Sequence, residues 1–118
     1  MIAPLRCAKN WQLPHPPIFL GGAAQQVFKR TVAYGNGWMP TRSTPKLIKQ
    51  GRAVLNELAL AAGRDPQSIA IMAYIAPPDR AKLQALAEAG ADSAVLMLTS
   101  APEAAALAEL EQIAKAVL

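Results

Sequence analysis

The stretch that decides the fold is residues 16–40, PPIFLGGAAQQVFKRTVAYGNGWMP. An apolar run ends at Leu20 and is followed by two glycines and a segment with the apolar spacing of a helix, about residues 23–34, which stops at Gly35. Its predicted inner face consists of Val27, Thr31 and Tyr34, with Phe28 and Val32 beside them. A second short apolar run, residues 37–40, follows at once. This order predicts a strand, a glycine turn, a helix and a second strand, which together make a βαβ unit.

The glycine pair at the start of this helix predicts an anion site. The first backbone N–H groups of a helix have no intrahelical acceptor and lie at the positive end of the helix dipole. Glycine at that point lets an anion approach the backbone closely. We therefore predict phosphate binding at Gly21, Gly22 and Ala23.

The end of the same helix allows two interpretations. Asn36-Gly37 is also typical of a two-residue hairpin turn between antiparallel strands. A helical pattern precedes the pair here, which favours the βαβ unit, and Gly35 is then expected to end the helix in the left-handed conformation.

The rest of the chain repeats the alternation of helix and strand. Residues 45–62 predict a helix with Thr44 as N-cap, Pro45 at its first position and Gly63 at its end. Gly51 on its inner stripe indicates close packing against a neighbour, and the other residues of that stripe are Leu47, Ile48, Val54, Leu55, Leu58 and Ala62. Residues 68–76, with the run IAIMAYIA, and residues 94–98, AVLML, are apolar at nearly every position. Continuous hydrophobicity predicts strands covered on both faces, as in a parallel sheet.

Two further helices complete the pattern. One opens at Pro77-Pro78-Asp79, has Leu83, Leu86 and Ala87 inward and stops at Gly90. The last follows Ser100-Ala101-Pro102-Glu103, which matches a capping box. Its predicted core face consists of Leu107, Leu110, Ile113, Ala114 and Val117.

Four strand–helix units predict an α/β fold with a parallel sheet. They correspond to four consecutive βα units of a (β/α)8 TIM-type barrel, a half-barrel, because the whole barrel needs about 250 residues. We expect residues 1–118 to form a single domain, with residues 1–15 as an extended lead-in interrupted by Pro4 and Pro14.

Composition narrows the class of protein. A hydrophobic fraction of 53% with 17% charged residues indicates a globular chain. No apolar run approaches the ~20 residues of a membrane helix, and the N-terminus lacks the apolar core of a secretory signal. Cys7, the single cysteine, cannot form an internal disulfide, which predicts an inert thiol and a cytoplasmic location.

Charge is divided unevenly between the two halves. Residues 1–52 contain eight basic residues and no acidic one, whereas residues 53–118 contain all eight carboxylates and four basic residues. A basic half predicts an anionic ligand. The basic residues are scattered and not interleaved with aromatics, so we expect no nucleic-acid partner. His15 has no Cys, Asp or Glu near it in the sequence, so we expect it to be an ordinary loop histidine that binds no metal.

The segments PHPPIFLGG, AYG, GNGWMP and AAGRDP together closely resemble the C-terminal half of the luciferase-like monooxygenase and coenzyme F-420-dependent flavin oxidoreductase superfamily. Members are (β/α)8 barrels that use FMN or the deazaflavin coenzyme F-420. The resemblance extends from about residue 14 to the end of the chain. It implies a flavin-type cofactor, with FMN and coenzyme F-420 both open.

The resemblance also implies roles for particular residues. Gly21 and Gly22 match the glycine pair whose backbone meets the cofactor phosphate. Trp38 lies on the following strand, and Thr41 and Arg42 lie at its ligand-facing end. Arg42, together with Lys46, would suit the anionic oligoglutamate tail of coenzyme F-420, or these two side chains are simply solvated loop charges.

The sequence departs from the superfamily in two respects. The usual G-D-G-W appears as Gly35-Asn36-Gly37-Trp38, without the acid. The first four strands, which supply isoalloxazine contacts and most catalytic side chains, have no counterpart here, so no catalytic residue is assigned.

The resemblance implies an oxidoreductase module that supplies the cofactor-phosphate site. Hydride transfer or monooxygenation would occur only when a partner or a second copy completes the barrel. We expect a homodimer, or docking with a separately encoded N-terminal half, because a half-barrel has two open strand edges. The alternative is a non-catalytic half-barrel that serves as a binding or structural remnant.

Overall fold

The computed structural model describes residues 15–118. Cys7 and the lead-in predicted for residues 1–15, except His15, lie outside the described residues. The elements follow in the order β1 (Phe19–Gly21), α1 (Gln25–Tyr34), β2 (Gly37–Met39), α2 (Pro45–Ala61), a 3-10 turn (Pro66–Ser68), β3 (Ala70–Ala76), α3 (Arg80–Ala89), β4 (Ser93–Leu96) and α4 (Glu103–Val117).

The four strands form one sheet in the order β1-β2-β3-β4, and every neighbouring pair is parallel. This confirms the predicted α/β fold and excludes a hairpin at Asn36-Gly37. Asn36 instead links β2 to the start of β1: its side-chain Oδ1 accepts from the N–H of Ile18 at 2.8 Å, and its own N–H donates to the Ile18 carbonyl at 2.7 Å. The sheet is open, since within residues 15–118 β1 pairs only with β2 and β4 only with β3.

The core lies between one face of the sheet and the helices. The strand register places Trp38 level with Leu20 on β1 and with Ile71 on β3, so these three side chains share a face. The Trp38 ring meets the Phe28 ring of α1 with centroids 4.9 Å apart and planes tilted by 57°. The buried hydrophobic cluster consists of Phe28, Val32, Trp38, Ile48, Leu55, Ala59, Ile69, Ile71, Ala73, Ala76 and Leu86.

Gly51 permits the closest contact in this core. A Cβ atom at position 51 would overlap the six-membered ring of Trp38. The predicted close packing at Gly51 is therefore confirmed, and its partner is the fully buried indole on β2.

The opposite face of the sheet is only partly covered, which corrects the prediction of strands buried on both faces. Phe19, Met39, Met72 and Tyr74 alternate with the core residues and are all half-buried. β4 contains no buried residue. The prediction was wrong because the buried strand side chains before the end of β3, Trp38, Ile71 and Ala73, lie on one face, where the helices pack.

Two helices also bury fewer of the predicted residues. In α1 the buried side chains are Phe28, Thr31 and Val32, whereas Tyr34 is exposed. The α4 helix has no buried residue, and Leu107 and Leu110 of its predicted core face are 55% and 51% exposed.

Smaller deviations occur on α2 and α3. Ala59 is buried on α2 in place of Ala62, which lies beyond the last helical residue and is exposed. On α3, Leu86 is buried while Ala87 is exposed. In each of the two helices, one residue of the predicted inner face is therefore exposed.

The structure confirms some of the predicted helix starts and ends and contradicts others. Thr44 Oγ1 accepts from the Leu47 N–H at 3.2 Å, with Pro45 following it, as predicted. Gly63 and Gly90 adopt φ values of +73° and +121° where α2 and α3 end. Gly35, however, has φ −84°, so the left-handed stop was wrong.

Gly35 is glycine because of close packing. A Cβ atom there would lie 2.6 Å from Leu20 Cδ1 and 3.0 Å from the Thr31 Cα. The capping box before α4 was also wrong, because Pro102 is the N-cap and no side chain caps this helix. Thr99 instead donates from its N–H and its hydroxyl to the carboxylate of Glu109.

Candidate functional site

The carboxyl ends of the four parallel strands lie at one edge of the sheet, which we call the upper edge. In parallel α/β structures ligands bind at this edge, because the loops from successive strands meet there. The register pairs Gly21 at the end of β1 with Met39 at the end of β2. The predicted phosphate turn therefore lies directly beside the strand that leads to Thr41 and Arg42.

The turn after β1 is fixed by a hydrogen bond from the core. The indole Nε1–H of Trp38 donates to the carbonyl oxygen of Gly22 at 2.5 Å. Gly22 has φ +108°, a value that other residues rarely adopt. The same peptide unit joins the Gly22 carbonyl to the Ala23 N–H, and in a trans peptide these two groups point in opposite directions. Because the carbonyl is held toward the buried indole, the Ala23 N–H is directed away from it.

The start of α1, like that of α4, has no side-chain cap. Ala24 is the N-cap, in an extended conformation, and it makes no side-chain cap hydrogen bond. By contrast, Thr44 caps α2 and Asp79 caps α3. No acidic residue lies in the first turn of α1, and residues 23–26 are all exposed. The Val27 N–H already donates to the Ala24 carbonyl at 2.9 Å. The N–H groups that this turn offers to an external acceptor, at the positive end of the helix dipole, are therefore those before Val27.

Thr41 and Arg42 lie on the loop between β2 and α2, and both are exposed. Within residues 15–118 the guanidinium of Arg42 makes no ion pair, because the single pair found there joins Arg52 to Asp92. Lys46, at the second position of α2, is exposed as well. The upper edge therefore combines an uncapped helix start with two solvent-accessible cations.

Trp38, another site residue implied by the resemblance, has its side chain in the core and not at the upper edge. Its side chain is completely buried between α1 and α2 and presents no surface to a ligand at the upper edge. It contacts the site from below, through its hydrogen bond to the Gly22 carbonyl and through the Phe28 ring of α1.

A distortion at the end of β3 was not predicted from the sequence. Ile75 has φ +54°, and the pairing with β4 shifts register between Ala73 and Ala76. A positive φ is strained for a β-branched residue and marks a conformation that its surroundings impose. The hydroxyl of Ser43 donates to the Tyr74 carbonyl at 2.7 Å, so the loop that carries Thr41 and Arg42 is tied to this bulge. Nothing in the run IAIMAYIA signals it.

Two arginines that contribute to the basic charge are occupied in the structure. Arg52 donates to the Ile69 carbonyl at 2.9 Å and pairs with Asp92 at 3.0 Å. Arg64 donates to the Thr31 and Val32 carbonyls at 3.1 and 3.0 Å, near the C-terminal end of α1. Both side chains stabilise the fold, so the free anion-attracting charge is concentrated on fewer residues than the sequence count suggests.

The described part of the chain gives no indication of a metal centre. Among residues 15–118 no group of three His, Cys, Asp or Glu side chains is placed to hold a metal ion. His15 is exposed, with Nδ1 2.7 Å from the carbonyl oxygen of the adjacent Pro16. In the same residues, no helix is both long enough and apolar enough to cross a membrane.

Comparison with known proteins gives a partial likeness. No protein-family model and no curated protein matches the chain. Among solved structures, the coenzyme F-420-dependent tetrahydromethanopterin reductase from Methanopyrus kandleri is 26% identical over 56% of this chain and 20% of its own, with a TM-score of 0.46. DmoA from Hyphomicrobium sulfonivorans is 24% identical over 64% of this chain and 18% of its own, with a TM-score of 0.41.

The chain thus spans about a fifth of the length of these two structures. At such TM-scores the likeness does not by itself assign a family or a function. The described residues on their own establish an open α/β unit with four parallel strands and an uncapped helix start at its upper edge.

Proposed function

We propose that this chain is a cofactor-binding half-barrel of the luciferase-like oxidoreductase type, in which the turn Gly21-Gly22-Ala23 and the start of α1 bind the phosphate of FMN or coenzyme F-420. The observation that carries the proposal is the uncapped first turn of α1, directly after a positive-φ glycine at the carboxyl end of β1. The sequence motifs around this turn give the cofactor class.

The local geometry fits a phosphate group. Gly22 has no side chain to obstruct an approaching oxygen, and Trp38 holds its carbonyl away from the anion. Ala23 and Ala24 are exposed and too short to compete for the N–H groups of the turn. A phosphate would therefore accept hydrogen bonds from backbone groups that have no intrahelical partner.

Thr41 and Arg42 would extend the site along the upper edge. The Thr41 hydroxyl can donate a hydrogen bond, and the exposed Arg42 guanidinium supplies positive charge. The oligoglutamate tail of coenzyme F-420 would place further carboxylates near Arg42 and Lys46. When bound, such a cofactor supplies the redox chemistry, and this chain's residues bind and orient it.

The pocket requires more than this chain. Four parallel strands leave the ring system of a flavin with one wall, so hydride transfer or monooxygenation is proposed only for an assembly in which a partner supplies the other wall. A binding module without turnover remains the second candidate, and the half-exposed face of the sheet favours a role in which something else covers it.

The test is a titration of the purified chain with FMN and, separately, with coenzyme F-420, followed by cofactor fluorescence. Gly22→Glu should weaken binding of either cofactor at least tenfold, because it places a carboxylate where the phosphate would lie. Arg42→Gln should weaken the binding of coenzyme F-420 more than the binding of FMN, since only coenzyme F-420 has the polyanionic tail.

Gly63→Glu is the matched control. Gly63 is also a positive-φ glycine, but it follows α2, and a Cβ there meets no atom within 4 Å. It adds the same charge at another positive-φ glycine and should leave binding unchanged. Equal losses in both variants, or binding that survives Gly22→Glu, would rule out this turn as the phosphate site.

A further inference from the structure

The α4 helix presents an apolar stripe to solvent. Leu107 and Leu110 are 55% and 51% exposed, and no residue of α4 is buried. Small and large residues on this side of the helix form a groove of about 530 Å³. Its lining consists of Ala104, Leu107, Ala108, Leu110, Glu111 and Ala114. Residues spaced by three and four positions share one side of a helix, so the stripe has the pattern of a helix-packing face.

The first and last helices carry opposite net charge. The α1 helix, beside β1, contains Lys29 and Arg30 and no acidic residue. The α4 helix, which follows β4, contains Glu103, Glu109 and Glu111 against Lys115 alone. These two helices are therefore complementary in charge, which favours a second copy of the same chain as the partner.

We propose that two copies associate about a two-fold axis parallel to the strands, so that β4 of each copy lies beside β1 of its partner. The α4 helix of each copy then lies at the junction of its own β4 with the partner's β1, where its apolar stripe is covered, and its charged residues lie next to the partner's α1. A two-fold axis in this direction keeps all strands parallel and makes both contacts at once, so each open edge gains a partner. The half-exposed sheet faces of the two copies meet inside the assembly.

The positions of the charges along the helices agree with this arrangement. Both helices start at the upper edge and run in the same direction. Glu111 lies eight residues after the start of α4 and Arg30 five residues after the start of α1. Their offset of three residues is about 5 Å along the axis, which two long side chains can span. Glu111 of one copy is therefore assigned to the partner's Lys29 and Arg30.

This inference deepens the proposed function, since the second copy would supply the missing wall of the pocket, but the association itself needs no cofactor. The experiment is sedimentation velocity of the full chain without cofactor, from 1 to 100 µM. We expect a species of twice the chain mass. Leu107→Arg should weaken the dimer at least tenfold, whereas Leu60→Arg should not, because Leu60 is an exposed leucine on α2, outside the contact.

Charge exchange keeps the inference testable even where Leu107→Arg disturbs folding. Arg30→Glu and Glu111→Arg should each weaken the dimer, and the double variant should regain most of the affinity. A wild-type chain that stays monomeric at 100 µM would overturn the proposal, and so would a dimer that Leu107→Arg leaves intact or two charge variants without mutual rescue. A dimer that binds neither cofactor would support this inference and remove the proposed function alone.

Discussion

The indole N–H of Trp38 donates to the carbonyl oxygen of Gly22 from inside the hydrophobic core. Trp38 is completely buried, and Gly22 belongs to the turn after β1 at the upper edge. One hydrogen bond thus connects the largest fully buried side chain with the backbone of the candidate phosphate turn. The core residue determines which way the Gly22–Ala23 peptide faces.

Trp38→Phe should reduce both stability and cofactor binding. Phenylalanine cannot donate, so the partly buried Gly22 carbonyl loses its partner, at a cost of about 1–3 kcal/mol in the free energy of unfolding. Urea denaturation measures this loss, and the FMN titration measures the effect on the turn. Phe28→Leu, which alters packing against the same ring without removing the donor, should lower stability but leave affinity unchanged. Equal affinities in the two variants would show that the hydrogen bond does not orient the turn.

Gly51→Ala should destabilise the protein, although alanine is the better helix former. In an open helix this change is worth about 1 kcal/mol of added stability. Here the new Cβ would overlap the Trp38 ring, and overpacking of this kind costs about 1–3 kcal/mol. Chemical denaturation of the purified variant gives the sign directly. A more stable Gly51→Ala variant would mean that the indole can move away from α2 at little cost.

Ile75→Gly should be nearly neutral. The left-handed conformation costs an L-residue about 1–2 kcal/mol, and Ile75 is already 49% exposed, so relief of strain offsets the lost burial and the added chain entropy. Met72→Gly in the same strand has no strain to relieve and should lower the free energy of unfolding by at least about 1 kcal/mol. Similar losses at the two positions, measured by urea denaturation, would argue against strain at Ile75.

Thr44→Ala should lower the stability of the protein and Ser100→Ala should not, because only Thr44 caps a helix. Thr44 caps α2, so its loss should cost about 1 kcal/mol. Ser100 begins a capping-box sequence, yet Pro102 is the N-cap of α4 and no side chain caps that helix. Ser100→Ala should therefore leave the thermal midpoint unchanged. A matching drop in both variants would indicate that Ser100 caps α4 after all.

Local chemistry made several features predictable from the sequence. Neighbouring residues were enough to predict the Thr44 cap and the glycines after α2 and α3. The spacing of apolar residues was enough to predict the alternation of helices and strands and the need for a small residue at position 51. The glycine turn after β1 belongs to this class too, because its residue types and its place before a helix are both local.

Other features depend on contacts between distant segments. The sequence shows that β3, β4 and α4 are apolar, but burial depends on which elements pack against them, so Met72, Leu107 and Leu110 are less covered than their hydrophobicity predicts. Gly35 is needed because Leu20 and Thr31 approach it, and no local turn signal reports such an approach.

The sequence by itself determined the parallel α/β class and the position of the glycine turn, because the period of the apolar residues and the residue types of a turn are both properties of consecutive residues. Only the tertiary structure decided that Trp38 acts from within the core, that Ile75 is strained and that one face of the sheet remains half-exposed. Those properties arise where segments far apart in the chain come into contact, and a linear pattern does not specify the distance between them.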